Sequence, residues 1–145
     1  MALFVLRLQA LVLLTISVPT LIAQPPTLAK LEGEWKAVKG TRGGRELDAE
    51  HLSKVTVTIS NGTITVKEPG ISEKATLANV TVGKPGSLDL NLEIKGKAAT
   101  LEGIFELDGD DLALCISKLP EKGTRPKAFE ATAERVSLLR LKRVK

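Results

Sequence analysis

Val55-Thr56-Val57-Thr58-Ile59-Ser60 places an apolar residue at every second position, and after Asn61-Gly62 the run Thr63-Ile64-Thr65-Val66-Lys67 does so again. A period of two belongs to a β-strand with one buried face, whereas a helix repeats near 3.6 residues. Asn-Gly between two such runs is the strongest short signal for a hairpin, because both turn positions need a positive φ that this pair tolerates. A lone hairpin is marginal in water, so strands this regular must be absorbed into a larger sheet.

The rest of the chain supplies that sheet. Gly33 to Gly40 is the first strand candidate, ended by Thr41-Arg42-Gly43-Gly44-Arg45. Single helical turns are predicted over Thr27 to Leu31, capped by Thr27, and over Leu47 to Leu52 in a long first loop. After Pro69-Gly70, the apolar positions of Ser72 to Val82 change face between Leu77 and Val80, which predicts a bulge near Ala78. Leu88 to Ile94 alternates without fault. Ala99 to Leu107, Leu112 to Ile116 and Val136 to Arg143 follow, separated by turns at Lys95-Gly96-Lys97 and Asp108-Gly109-Asp110 and by a surface loop over Lys118 to Arg125. Composition also permits a helix over Glu130 to Arg140. The fold class expected is all-β: about eight antiparallel strands in an up-and-down barrel, with one or two short helical turns. A sandwich is the alternative. Closure into a barrel would remove the unpaired edges of such strands.

Residues 1–23 read as a secretory leader. Arg7 is their only charge, Ala10 to Ala23 is uncharged, and a small residue precedes Gln24. A retained anchor would need roughly 20 apolar residues, and Arg7 and Gln9 leave too few. Cleavage near Ala23 leaves a linker and helical turn over 24–30 and a barrel domain over 31–145, of a size that sustains one modest core. The expectation is an exported protein, periplasmic or extracellular, without stable membrane insertion once the leader is gone.

Composition narrows the chemistry. The net charge is only +4, and one Trp, three Phe and no Tyr provide no stacking platform for bases, so no nucleic-acid partner is expected. Cys115 is the sole cysteine, which rules out an internal disulfide, and its apolar neighbours mark it as a small buried hydrophobe. One histidine and one cysteine far apart make no recognised metal or haem spacing, so no cofactor is expected. Asp108-Gly109-Asp110-Asp111 reads as a hairpin turn before it reads as a calcium loop. His51, near Asp48, lacks any nucleophile motif and is expected to be solvated. Glu102, Glu106 and Asp108 share the face opposite Leu101, Phe105 and Leu107 and are expected to meet water. Arg135, Arg140, Lys142, Arg143 and Lys145 form a basic cluster, read as a solvated strand edge and tail. Asn61-Gly62-Thr63 and Asn79-Val80-Thr81 match the glycosylation sequon. No catalytic residues are assigned, and the chain is not expected to be an enzyme.

Gly33-Glu34-Trp35 after a helical turn, with a basic residue near the end of the last strand, is similar to the lipocalin and lipocalin-like pattern. A narrower resemblance covers nearly all of the chain after the leader. Leu31-x-Gly33-x-Trp35, Leu88-Asp89-Leu90, Gly103-Ile104-Phe105-Glu106-Leu107-Asp108-Gly109-Asp110-x-Leu112-x-x-Cys115, Arg125-Pro126-x-x-Phe129 and Leu141-Lys142-Arg143 resemble the uncharacterised lipocalin-like domain of exported planctomycete proteins. Phe105 stands where that family usually has tyrosine. The resemblance implies a barrel sealed at its base by Trp35, with an arginine over the ring, and no assigned reaction. Arg143 shares a face with Leu139 and Leu141 and is the arginine chosen; Arg140 is the alternative if the register slips by one. Gly33 would let the Trp35 ring approach the backbone. Arg125 would either pair with a carboxylate such as Asp89 or Asp108 or stand as an exposed loop charge.

The remaining question is the interior. The inward set, with Val57, Ile59, Val66, Leu77, Leu90, Leu92, Leu101, Phe105 and Leu114 as candidate cavity lining and Ile64 beside them, is aliphatic. Gly103 and several alanines reduce its volume, which favours a cavity, while the lack of Tyr and His leaves few polar groups to orient a ligand, which favours a packed core. Two functions are therefore expected from the sequence. One is a non-enzymatic binding module for a small apolar or amphipathic molecule in the barrel. The other is a filled barrel serving as a protein-interaction or envelope structural domain with no small-molecule ligand, its protein partner unspecified.

Overall fold

A computed structural model describes residues 26–145. The leader over 1–23 and the start of the linker lie outside the described residues. The first element, α1 (Pro26–Leu31), begins one residue before the cap expected at Thr27. Proline suits the first helical turn because its fixed φ is already helical and its missing N–H would have no partner there.

β1 (Gly33–Arg42) runs two residues beyond Gly40. Gly43 and Gly44, at φ 53° and 79°, then turn the chain into β2 (Arg45–Glu46), which pairs back onto Thr41 and Arg42. α2 (Ala49–Ser53) follows, capped by Asp48, whose Oδ1 accepts the His51 N–H at 2.7 Å. β3 (Thr56–Ser60) and β4 (Thr63–Glu68) form the predicted hairpin, with Asn61 and Gly62 at φ 51° and 72°. β5 (Ile71–Thr81) shifts register between Ala78 and Thr81, with Asn79 at φ 47°, at the bulge expected from its pattern. β6 (Gly86–Ile94), β7 (Lys97–Asp108), β8 (Asp111–Ser117) and β9 (Val136–Arg143) complete the sheet. The helix allowed over Glu130 to Arg140 does not form, because Val136 to Arg143 alternates cleanly and is paired on both sides.

Every pairing is antiparallel, and, the short β2 aside, strands that follow one another in sequence are neighbours in the sheet. β1 pairs with both β3 and β9, so eight strands close into a barrel and β2 remains a short addition beside β1. The seam between β1 and β9 runs from Trp35 opposite Arg143 to Arg42 opposite Ser137. It slips by one residue at Val38, which is left 59% exposed.

The inward positions make one hydrophobic core. Trp35, Val57, Ile59, Ile64, Leu77, Leu90, Leu101, Phe105, Leu112, Leu114, Leu139 and Leu141 are buried in it, and α1 adds Leu28 and Leu31 at the Trp35 end. A second, smaller apolar layer lies outside the barrel wall. Ile104 stands opposite Cys115 and Cys115 opposite Leu138 on the outward side of β7, β8 and β9. The segment between β8 and β9 crosses over them. Ala131 is buried there, and the Glu130 carbonyl accepts the Cys115 thiol at 3.6 Å. Burial pushes the Cys115 thiol pKa up, although the hydrogen bond to Glu130 acts in the other direction.

Candidate functional site

Trp35 closes one end of the barrel. It is fully buried, and its indole N–H donates to the Leu31 carbonyl at 3.0 Å, which ties the ring to α1. The Arg143 guanidinium lies 4.2 Å from the ring centroid. Such a pair is worth about 0.5–2 kcal/mol. Its Nη1 donates to the Glu32 carbonyl at 2.5 Å and its Nη2 to Lys30 at 2.7 Å, so one side chain caps the last carbonyls of α1 as well as the indole. Arg140 points outward and is exposed, which settles the register. Gly33 has a different task from the one expected: it makes room for the arginine. A Cβ at Gly33, where φ is 134°, would sit 2.7 Å from Arg143 Nη1.

Seven of the nine candidate cavity residues, Val57, Ile59, Leu77, Leu90, Leu101, Phe105 and Leu114, are buried in the common core, and Val66 and Leu92 are half-buried against it. Gly103 does not open space there. A Cβ on it would lie 3.1 Å from Ile116 Cγ1 and 3.2 Å from Leu88 Cδ1, so larger neighbours already occupy the volume it gives up. The Phe105 ring likewise lies where a Gly86 Cβ would be, 2.6 Å from its Cζ.

At the opposite end the inward positions turn polar. Arg42 Nη1 donates to Glu68 Oε2 at 2.9 Å, and Nη2 donates to Oε1 in a bidentate fork. Arg42 Nε reaches Ser137 Oγ at 3.2 Å. His51 is not simply solvated, since its Nε2 lies 3.4 Å from Glu68 Oε2. The hydrogen bonds from Arg42 hold the Glu68 carboxyl below its ordinary pKa. Burial opposes this, and the charge of Arg42 with the contact to His51 adds to it. Lys118 and Glu73, 3.4 Å apart, bridge another part of the rim. Leu47 and Leu52 pack over Gly40, where a Cβ would meet Leu47 at 2.9 Å and Leu52 at 3.1 Å. Two clefts open at this rim, about 300 Å³ beside Arg42, Glu68 and Arg135 and about 410 Å³ beside Glu73, Leu92, Ile94 and Lys118.

On the outer wall, Arg125 pairs with Asp89, one of the two carboxylates expected for it, at 2.7 Å. Its Nη1 also donates to the carbonyls of Leu88 and Gly103, both at 2.8 Å. Burial pushes the Asp89 carboxyl upward, but hydrogen bonds from Asn79 and Arg125 outweigh it and hold the group below its ordinary pKa. Glu102 does more than face water: it accepts the N–H groups of Gly123 at 3.2 Å and Arg125 at 2.8 Å and so anchors the loop. The Asp108 to Asp111 segment is a hairpin turn with Gly109 at φ 59°. No group of three or more His, Cys, Asp or Glu suited to a metal occurs among the described residues. The basic cluster disperses. Arg143 turns inward, Lys145 reaches Asp110 at 3.2 Å, Arg135 joins the rim, and β9 is a paired strand rather than an edge.

The outer wall also carries clefts of about 390 Å³ beside Phe129 and Arg140 and about 810 Å³ between β6, β7 and the loop at Pro120 to Lys122. Comparison with family models, curated proteins and solved structures gave no match.

Proposed function

We propose that the chain is an exported, non-enzymatic binding module of lipocalin-like form, in which the barrel is the scaffold and recognition takes place on its rim and outer wall. The observation that carries this reading is the occupancy of the interior. The inward sites where glycine could leave a void are filled, Gly40 by Leu47, Leu52 and Leu139, Gly86 by Phe105, and Gly103 by Ile116 with Leu88. The filled-barrel half of the sequence reading is therefore favoured over a ligand held among Val57, Leu90 and Leu101. The stack of Arg143 on Trp35 supports the lipocalin-like assignment. The non-enzymatic reading is supported by the Cys115 thiol, the one cysteine nucleophile, which lies buried beneath a loop.

The test is to recover the protein from its own host, leader included in the gene, and to identify bound small molecules by native mass spectrometry and bound proteins by cross-linking. Periplasmic or extracellular recovery with a bound species that is lost on outer-wall or rim substitution is the expected result. A species retained by those variants but expelled by the interior substitution Ala75→Leu would overturn the reading.

A further inference from the structure

We propose that the cleft between the β1–β9 seam and the segment from Phe129 to Thr132 is a binding site for a small amphipathic anion, one negatively charged head on an apolar body. The proposal rests on the reading of the outer wall as the recognition surface and names one site on it. Lys39 and Arg140 stand directly opposite each other across the seam. Both point outward, because Gly40 and Leu139 beside them are buried in the barrel. Like charges in direct cross-strand opposition destabilise a sheet, so the pair is an arrangement that an anion between them relieves. Lys39 has one partner, Glu46 Oε1 at 3.5 Å, and both of those side chains are largely exposed. Arg140 makes no ion pair or side-chain hydrogen bond with any described residue.

The same two cations line a cleft of about 390 Å³. That volume falls in the range of small-molecule sites. Leu138 and Ala131 supply apolar surface, and the half-buried Phe129 ring lies beside them. The seam repeats its like-charge opposition at Lys36 and Lys142, but there Asp111 stands next to Lys142 in the sheet and neither lysine lines this cavity. Glu46 and Glu130 also line the cleft, so two carboxylates face two cations. A single negative charge, held by Lys39 and Arg140 at the expense of the exposed Lys39–Glu46 contact, suits that balance better than a polyanion.

Isothermal titration of the folded protein with decanoate, below its micellar concentration, and with decanol as the neutral analogue tests the site. One saturable decanoate site is expected, with Arg140→Glu weakening it about tenfold or more, the scale of one charge-assisted hydrogen bond. Decanol should also bind about tenfold more weakly, by the same reasoning. Glu46→Gln should tighten decanoate binding by freeing Lys39, and Lys36→Glu should leave it unchanged. Amide chemical-shift mapping on the wild type serves as the second readout, independent of whether Arg140→Glu folds. Shifts confined to Leu138 to Arg140 and Phe129 to Thr132 support the site. No decanoate binding, equal affinity for decanol, equal losses in Lys36→Glu and Arg140→Glu, or shifts centred on Leu90 and Leu101 would each overturn it. Silence toward decanoate in a protein that carries a host-derived species elsewhere on its rim or outer wall defeats this site while leaving the broader reading standing.

Discussion

Arg125→Ala removes the guanidinium that, together with the Glu102 carboxylate, fastens the loop after β8 to the barrel wall. Three hydrogen bonds go at once, to the Leu88 and Gly103 carbonyls at 2.8 Å each and to Asp89 at 2.7 Å. A hydrogen bond with a charged partner contributes about 1.5–3 kcal/mol net. The simple sum overshoots, because the Arg125 side chain is a third exposed and water replaces part of what is lost. The two carbonyls belong to residues already paired across β6 and β7, so the sheet itself survives. Asp89 is the costly remnant. Its carboxylate is nearly buried and would keep only Asn79, at 2.8 Å, as a side-chain partner. The expected net loss is about 3 kcal/mol, a large share of the 5–15 kcal/mol typical of a domain. Arg125→Lys keeps the charge without the fork and should lose about half as much. Urea unfolding followed by Trp35 fluorescence measures the total. The local consequence is read by labelling Cys115 with a thiol reagent under native conditions, since this loop is its cover. Labelling should accelerate more than the loss of global stability accounts for. A destabilisation below about 1 kcal/mol with unchanged labelling would refute the clamp.

Gly86→Ala drives a Cβ into Phe105 and to within 2.8 Å of the Thr81 carbonyl, and should lower the melting temperature by the equivalent of about 1–3 kcal/mol; Phe105→Leu in the same chain should restore part of the loss if the ring fills that space. Arg143→Ala should cost about 2 kcal/mol in urea unfolding by removing the cover of Trp35 and the cap of α1. Glu68 supplies a pH signature. Its folded pKa is depressed, so its stabilisation is fully present above the ordinary carboxylate value and is lost as pH falls through the lower folded value. Unfolding midpoints of wild type and Glu68→Gln should therefore differ at neutral pH and converge in acid, and a gap that persists below that window would argue against the Arg42–Glu68 fork.

Local periodicity made much of this barrel readable. The Asn61-Gly62 hairpin, the bulge beyond Ala78 and the β9 register that delivers Arg143 to Trp35 all follow from which residues are apolar at alternate positions. The rim was illegible for a physical reason. Arg42 beside Gly43-Gly44 and Glu68 beside Pro69 look like turn residues, and a charge turned inward at a strand end has the same local pattern as one turned toward water. Their pairing depends on closure between elements far apart in sequence. The outer apolar layer did leave a signal that strict alternation overlooks. Ile104-Phe105, Cys115-Ile116 and Leu138-Leu139 are each apolar at two consecutive positions, which marks strands buried on both faces. The clamp of Arg125 was readable only as one option, a pairing with Asp89 or Asp108 against an exposed loop charge, because sequence spacing does not reveal which carboxylate, if any, lies under the crossing loop.

The joint between β1 and β9 has a kinetic consequence. Residues 33–42 meet their last neighbour only when 136–143 arrive, so the partly folded ribbon keeps two unsatisfied borders until that pairing forms. Ring closure across so long a separation raises contact order and slows the final step. Until the ends meet, the ribbon is most prone to sticking to a neighbour, so any helper that accompanies this protein during maturation would be needed in that interval.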